Sequence, residues 1–456
     1  MNHTLTGLDE AAEEERSIVV EEEYLGVRLY LKEEMVDEER SYSDGWAYHD
    51  GLLIKATSEE LLRATVARMV GGGDDRSLLD QRSFWDVIER VEQSDLFFFL
   101  DFTPVVTVLE ELVSIQSAGA PPNILGITPE RVFEALALDV LEGFYLSLDL
   151  STDETSVDSG FFYREKRGLV SLLAYRNGSL PHPNYIPDDS LAVSILRFDF
   201  GEFWTAMEKI ISDISPVLSG LYGGYREQLS TTLGIDFNQL IIENIDEEIV
   251  TYSGFGADQK AAGNPTLEEL SQVYVLKPRD LQGFEMAIGV INGLLGIGQS
   301  SWEPREYLGT TIFTRSLSLA MLSGGAGAPP SLLSYAFTEE YLLFCVGSPR
   351  LLESALARID RSGDSLWDNR DLDLAIRKFP ADSATFTYHD LNALLNSLFV
   401  TVARLQQQVE GTEDGLTICD PSNLPDKKNF PFFILGKAYA EENGFFGKSL
   451  LIRKSE

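Results

Sequence analysis

The chain has 456 residues, 44% of them hydrophobic, with 73 acidic against 36 basic side chains and a formal charge of −37. That length suits two to four domains with sizeable cores. The acidic excess argues against binding nucleic-acid backbones or docking on anionic lipid, because both select clusters of Lys and Arg. Cys345 and Cys419 are the two cysteines, too few for a disulfide scaffold, and the sequence leaves their pairing open.

Residues 1–23 are an acidic segment with Glu13–Glu15 and Glu21–Glu23, leading into a strand over 17–20. It lacks the Asp/Asn/Gly spacing of a calcium loop and reads as a solvated charge run. The first residues also lack the basic start and apolar run of an export signal. No apolar run reaches the length of a membrane span.

From Tyr24 the pattern becomes regular. YLGVRLY at 24–30 reads as a strand, with Leu25, Val27 and Leu29 alternating against Gly26, Arg28 and Tyr30. A polar hairpin region leads to a second strand at Leu52–Lys55, then to a helix over 58–69. Ser58 stands where a side-chain oxygen can cap free amides, and Leu61, Leu62, Thr65, Val66 and Met69 share a face. Gly71–Gly73 with Asp74-Asp75 lacks the Lys and Ser/Thr of a phosphate loop. A strand and helix follow over 95–112, with Asp101 between them as a cap. After a connector at 115–128, Thr128 and Pro129 start a helix, and 144–151 with 161–163 reads as a strand hairpin.

The irregular stretch 182–190 marks a soft boundary. A strand over 192–198, Asp199 as a cap and a helix over 200–211 repeat the arrangement, with a looser echo at 274–288. LGID at 233–236 precedes a helix as LGIT at 125–128 does. Gly293–Gly298 and 323–330 read as small-residue loops.

YLGTTIF at 307–313 then returns with a strand at Leu342–Val346 and a helix over 348–359 capped by Ser348, with Pro349 at its first position. Ser365-Leu366 and Asp368 match Ser77-Leu78 and Asp80. A strand, Asp390 and a helix follow over 383–398, then a polar connector at 406–431. Strands over 432–440 and 445–452 close the chain, and GFF at 444–446 matches GFF at 160–162. The repeat covers roughly 22–166 and 305–453, far too long for a stacked array, so it predicts duplicated domains. The expected organisation is 1–23 acidic segment, 24–166 first copy lacking a front half, 167–304 middle module and 305–456 second copy.

The residues predict no catalytic, cofactor or metal site. His3, His49, His182 and His389 have no partner at metal-ligand spacing, and the serine elbow and nucleotide loops are missing. The His-Asp pairs at 49–50 and 389–390 are not equivalently placed. Neighbouring acids such as Asp188-Asp189 point to opposite faces of a strand and would not share a substrate.

YLG at 24–26 and 307–309, the hairpin-plus-helix through Arg68 and Arg358, LGID at 233–236 and YIPDDS at 185–190 resemble an uncharacterised bacterial family of exported repeat proteins, known only as a domain of unknown function. The resemblance implies an envelope or periplasmic location, reached through a signal or lipid anchor upstream of Met1 together with a front half; a chain that truly starts at Met1 would stay in the cytoplasm. It implies no catalytic residues.

The expected fold is α+β, with antiparallel sheets carrying helices on one face and an internal duplication in two lobes. The expected function is a non-enzymatic binding or structural protein of the bacterial cell envelope, with a protein or apolar small molecule as partner. A lipid or hydrophobic-ligand carrier is the first alternative, favoured by a continuous apolar cavity. A hydrolase between the lobes is the second, favoured by convergence of His389 and Asp390 with another acid.

Overall fold

The computed structural model describes residues 17–36, 39–71, 80–91, 94–117, 123–150, 154–234, 236, 238–262, 265–295, 302–317, 331–360, 364–409 and 430–455. The chain divides into two compact units, Met1–Trp85 and Asp86–Glu456. All named strand pairs are antiparallel, so the protein is α+β.

The first unit is a four-stranded meander, β1 (Ser17–Tyr24), β2 (Val27–Val36), β3 (Glu39–His49) and β4 (Leu52–Ala56), followed by helix α1 (Glu59–Met69). Strand alternation puts Val27, Leu29 and Leu31 on one face, where they bury with Ala47, Ala56 and the α1 residues Leu62 and Val66. The Ser58 hydroxyl accepts from the Leu61 amide at 3.3 Å. Leu25-Gly26 is a turn between Tyr24, the last residue of β1, and Val27, the first of β2, so the strand expected over 24–30 begins only at Val27. Leu25 has φ 50° and Gly26 φ 82°, the paired positive values of the two-residue hairpin turn whose twist matches its strands. Glu21–Glu23 belong to the edge strand β1 and are exposed. The strand β3 between the two expected strands has no counterpart in the sequence reading.

Helix α2 (Arg82–Arg90) spans the division between the units. Then come β5 (Leu96–Asp101), α3 (Phe102–Ser117), α4 (Pro129–Leu136), β6 (Leu141–Leu150) and β7 (Thr155–Tyr163). The bridge strand β8 (Gly178–Ser179) precedes β9 (Ala192–Arg197), α5 (Phe200–Ile214), α6 (Pro216–Leu233), β10 (Ile245–Gly254), α7 (Ala257–Ala262), β11 (Ser271–Pro278) and α8 (Leu281–Leu295). A second meander follows, β12 (Glu303–Tyr307), β13 (Thr310–Leu317), β14 (Ser331–Phe337) and β15 (Leu342–Val346), with α9 (Pro349–Asp360) and α10 (Arg370–Ile376) behind it. The chain ends with β16 (Asp382–Ser383), β17 (Thr385–Asp390), α11 (Leu391–Val409), β18 (Phe432–Glu441) and β19 (Gly444–Arg453).

Thirteen of these strands form one sheet, in the order β12-β13-β14-β15-β11-β10-β9-β17-β18-β19-β7-β6-β5. Three groups in it share one plan of strand, Asp, helix and hairpin: β5-β6-β7, β9-β10-β11 and β17-β18-β19. The expected caps hold. Asp101 accepts from the Thr103 amide at 2.9 Å, Asp199 from Glu202 at 2.9 Å and Asp390 from Ala393 at 3.2 Å. Asp280, in the looser echo, accepts from Gly283 at 3.1 Å. The two GFF segments face each other in β7 and β19, with Phe161 opposite Phe445 and Gly160 opposite Phe446. Gly160 is required there, since a Cβ would stand 2.3 Å from the Phe446 ring.

Helices cover both faces of this sheet, not one. Val273, Val275, Leu343 and Cys345 bury against Leu351, Leu352 and Ala355 of α9. The alternate residues Leu276, Leu342 and Phe344 pack with Phe284 and Ala287 of α8. Interior strands such as LLFCV are apolar on both sides, so both sides need cover. Strands from 24–166, 167–304 and 305–456 therefore meet in one sheet.

The stretches 24–69 and 307–359 share element order and turn geometry, with Leu308 at φ 51° and Gly309 at φ 79°. They also share an ion pair with its polarity reversed. Arg63 of α1 binds Glu22 of β1 and Glu59, whereas Glu353 of α9 binds Arg305 of β12 and Arg350. Glu22 and Arg305 each stand two residues before the turn tyrosine, and Arg63 and Glu353 each stand five after the capping serine. Their surroundings differ. Strand β15 is flanked by β11, and Leu342 and Leu343 are buried, while Leu52 and Leu53 of β4 are exposed.

Helix α8 continues through Leu295, into the stretch read as a loop at Gly293–Gly298. Helix α11 continues to Val409, into the stretch read as a connector from 406. Residues 296–298, 323–330 and 410–429 lie outside the described residues, as do Cys419, His3 and Ser77-Leu78.

Candidate pocket beside Lys437

Strand β18 reads FFILGKAYAE. Phe433 and Leu435 point into the core, and two-residue periodicity puts Lys437 on the same face. Lys437 is only 7% exposed. Its Nζ donates to the Pro380 carbonyl at 3.1 Å. Among the described residues no carboxylate lies within ion-pair distance of it. Lys448, opposite it in the ladder, does have one, Asp158 at 3.6 Å. Burial pulls the Lys437 ammonium below its usual pKa, with Asp382 opposing weakly.

Lys437 lines a cavity of about 390 Å³ with His182, Ile195, Trp367, Ile376 and Phe386. The His182 ring stacks on Trp367 at 4.5 Å between centroids and 24° between planes. Trp367 is held by its indole N–H, which donates to the Pro183 carbonyl at 3.0 Å, and by Phe386 at 5.4 Å. Burial lowers the His182 pKa, the Lys437 charge adds to this and Asp373 opposes it. These effects favour the neutral imidazole, whose ring offers a flat shelf. Arg377 at the lining is engaged by Asp373 at 2.7 Å. The site thus combines a buried cation, an aromatic shelf and aliphatic walls.

A larger cleft of about 900 Å³ has a mixed lining that includes Tyr185, Thr311, Glu339, Glu340 and Tyr341. Among its described lining residues no lysine or arginine is buried. His49 ends β3 beside Asp50, at 3.5 Å. His389 lies in β17, its pKa lowered by burial. The neighbouring Asp390 is committed to its helix cap and to Lys454 at 2.7 Å, so these two do not build an acid–base site. Cys345 is buried, with burial pushing its thiol up to about 12. Among the described residues no His/Cys/Asp/Glu cluster could hold a metal, and no helix is long and apolar enough to cross a membrane.

Of the three described histidines, His182 lines the pocket. Lys437 and Trp367 were not singled out by the sequence reading. A lysine in the inward row of an otherwise apolar strand was the available signal. Comparison with known proteins gives no match: no family model, no curated protein and no solved structure is similar to this chain.

Proposed function

We propose that this is a non-catalytic binding protein whose pocket takes a small molecule with a flat apolar body and a carboxylate end. The observation that supports this reading is Lys437. Among the described residues no carboxylate lies within ion-pair distance of this buried ammonium, which is costly, and a ligand carboxylate would offset that cost. Trp367 and His182 offer the planar surface on which such a body stacks. The volume sits at the low end of ordinary ligand pockets, which favours a compact ligand over a long acyl chain. The hydrolase alternative lacks support, since Asp390 is held by its helix cap and by Lys454.

Calorimetric titration with benzoate and short-chain carboxylates tests the proposal. Binding should weaken at least about tenfold in Lys437→Met, the scale of one charge-assisted hydrogen bond. Binding should also fade as pH rises through the lowered lysine pKa, below the usual 10.5. Equal affinity of Lys437→Met for the carboxylates, or no carboxylate binding at all, would sink the idea. An envelope location belongs to the same proposal on the family resemblance alone, and fractionation of cells carrying the complete gene decides it.

A further inference from the structure

The capping aspartates give the three strand groups a common ruler. Where β17 meets β9, Phe386 faces Ile195. Each stands four residues before its Asp, Asp390 or Asp199, so the junction has a local twofold at that position. The flanking pairs obey it, with Thr387 opposite Ser194 and Thr385 opposite Leu196. The third group joins through its last strand, where Phe161 faces Phe445 and the GFF segments pair symmetrically. The sheet thus grows by alternating last-to-last and first-to-first junctions, and it ends on a first strand, β5.

The ruler places Phe97 four residues before Asp101. We propose that two copies of this chain associate through β5, antiparallel, about a twofold at Phe97. Leu96 of each copy then faces Phe98 of the other. These are the residues β5 displays, with Leu96 59% and Phe98 50% exposed. Leu96 is larger and more apolar than Ser194 and Thr385 at the same position of the internal junction, and Phe98 is larger than Leu196 and Thr387 at the other. Among the described residues no strand pairs with the outer edge of β5. Its sequence LFFFLD has no Lys or Pro of the kind that blunts edge strands. Helix α3, which follows β5 directly, adds exposed Val108, Leu112 and Ile115 at the same end of the sheet. A second copy is the natural occupant because the register is self-complementary, as an isologous interface requires. The contact also repeats a junction already built once inside the chain.

Sedimentation equilibrium of the full chain over a concentration series tests this, with the register read by cross-linking. The wild type should dimerise. Phe98→Lys should raise the dissociation constant by at least about tenfold, since it buries an unpaired ammonium opposite Leu96, with an unchanged circular-dichroism spectrum. A mixture of Leu96→Cys and Phe98→Cys chains should form far more disulfide-linked dimer on oxidation than either variant alone. The wild type controls for Cys345 and Cys419. A chain that stays monomeric at every concentration overturns the proposal, as does a dimer that folded Phe98→Lys leaves intact. If Phe98→Lys fails to fold, the cysteine mixture decides, and the lack of preferential cross-linking overturns it.

Discussion

The reversed ion pair offers a direct test of how alike the two meander-and-helix stretches are. Glu353 lies almost out of solvent, its side chain 6% exposed, and hydrogen-bonds Arg305 and Arg350, whose side chains are 44% and 54% exposed. Replacing Glu353 by Arg removes two charge-assisted bonds and puts a third guanidinium beside the first two. Each such bond contributes about 1.5–3 kcal/mol. The existing arginines can turn to water, so the lower figure applies and the single variant should lose roughly 3 kcal/mol. Adding Arg305→Glu recreates the polarity of Glu22 and Arg63. The double variant should recover about 1–2 kcal/mol, within the range of contact couplings, while Arg350 keeps the recovery incomplete. Urea unfolding of the wild type, both single variants and the double closes the cycle. A double variant no more stable than Glu353→Arg would show that the two sites do not accept exchanged charges, and the equivalence drawn from turn and cap geometry would fail at this position.

Two further outcomes follow from burial. The Tyr252 hydroxyl is fully buried, and among the described residues it has no hydrogen-bond partner. Tyr252→Phe should therefore stabilise the chain by about 1 kcal/mol, the low end of the cost of an unmet buried group, and a lower urea midpoint would refute this. His182 and His389 both have folded pKa values held below 6.5 by burial. The unfolded chain then takes up protons first, so stability should fall as pH drops through about 6.5 and level off below the folded values. Replacing both histidines by Gln should flatten the urea midpoint over this window, and a slope equal to that of the wild type would exclude them as its source.

The parts of the fold that were legible are those set by neighbours in sequence. Ser58, Thr128, Asp199 and Asp390 each precede an apolar helical stripe, and a short oxygen-bearing side chain there has one local task. The closing hairpin Phe432–Arg453 carries clear alternation around a two-residue turn at Glu442-Asn443. Local rules failed where they conflicted. Leu25 and Leu308 belong to alternating runs yet sit at positive φ, a conformation that Gly26 and Gly309 make accessible by forming the second half of the turn. Strand β3 was missed because a bulge at Ser43 breaks the two-residue period of ERSYSDGWAYH, so Tyr42 and then Gly45 and Ala47 share no regular alternation in the sequence.

What sequence could not supply was which strands meet. The junctions at Phe161–Phe445 and Ile195–Phe386 join residues 284 and 191 positions apart, and nothing local marks one apolar strand as the neighbour of another. Double-sided cover of the sheet follows from those same junctions, because a strand needs two apolar faces only once it lies in the interior. Lys437 shows the limit most clearly. Its parity with Phe433 and Leu435 points it inward, but the same parity describes an ordinary lysine reaching past the sheet rim. The loop at 180–183, Trp367 behind its capped turn and the edge of β17 close over it only in the folded chain. The inward lysine is visible in the sequence, but the cavity around it is a product of strand order.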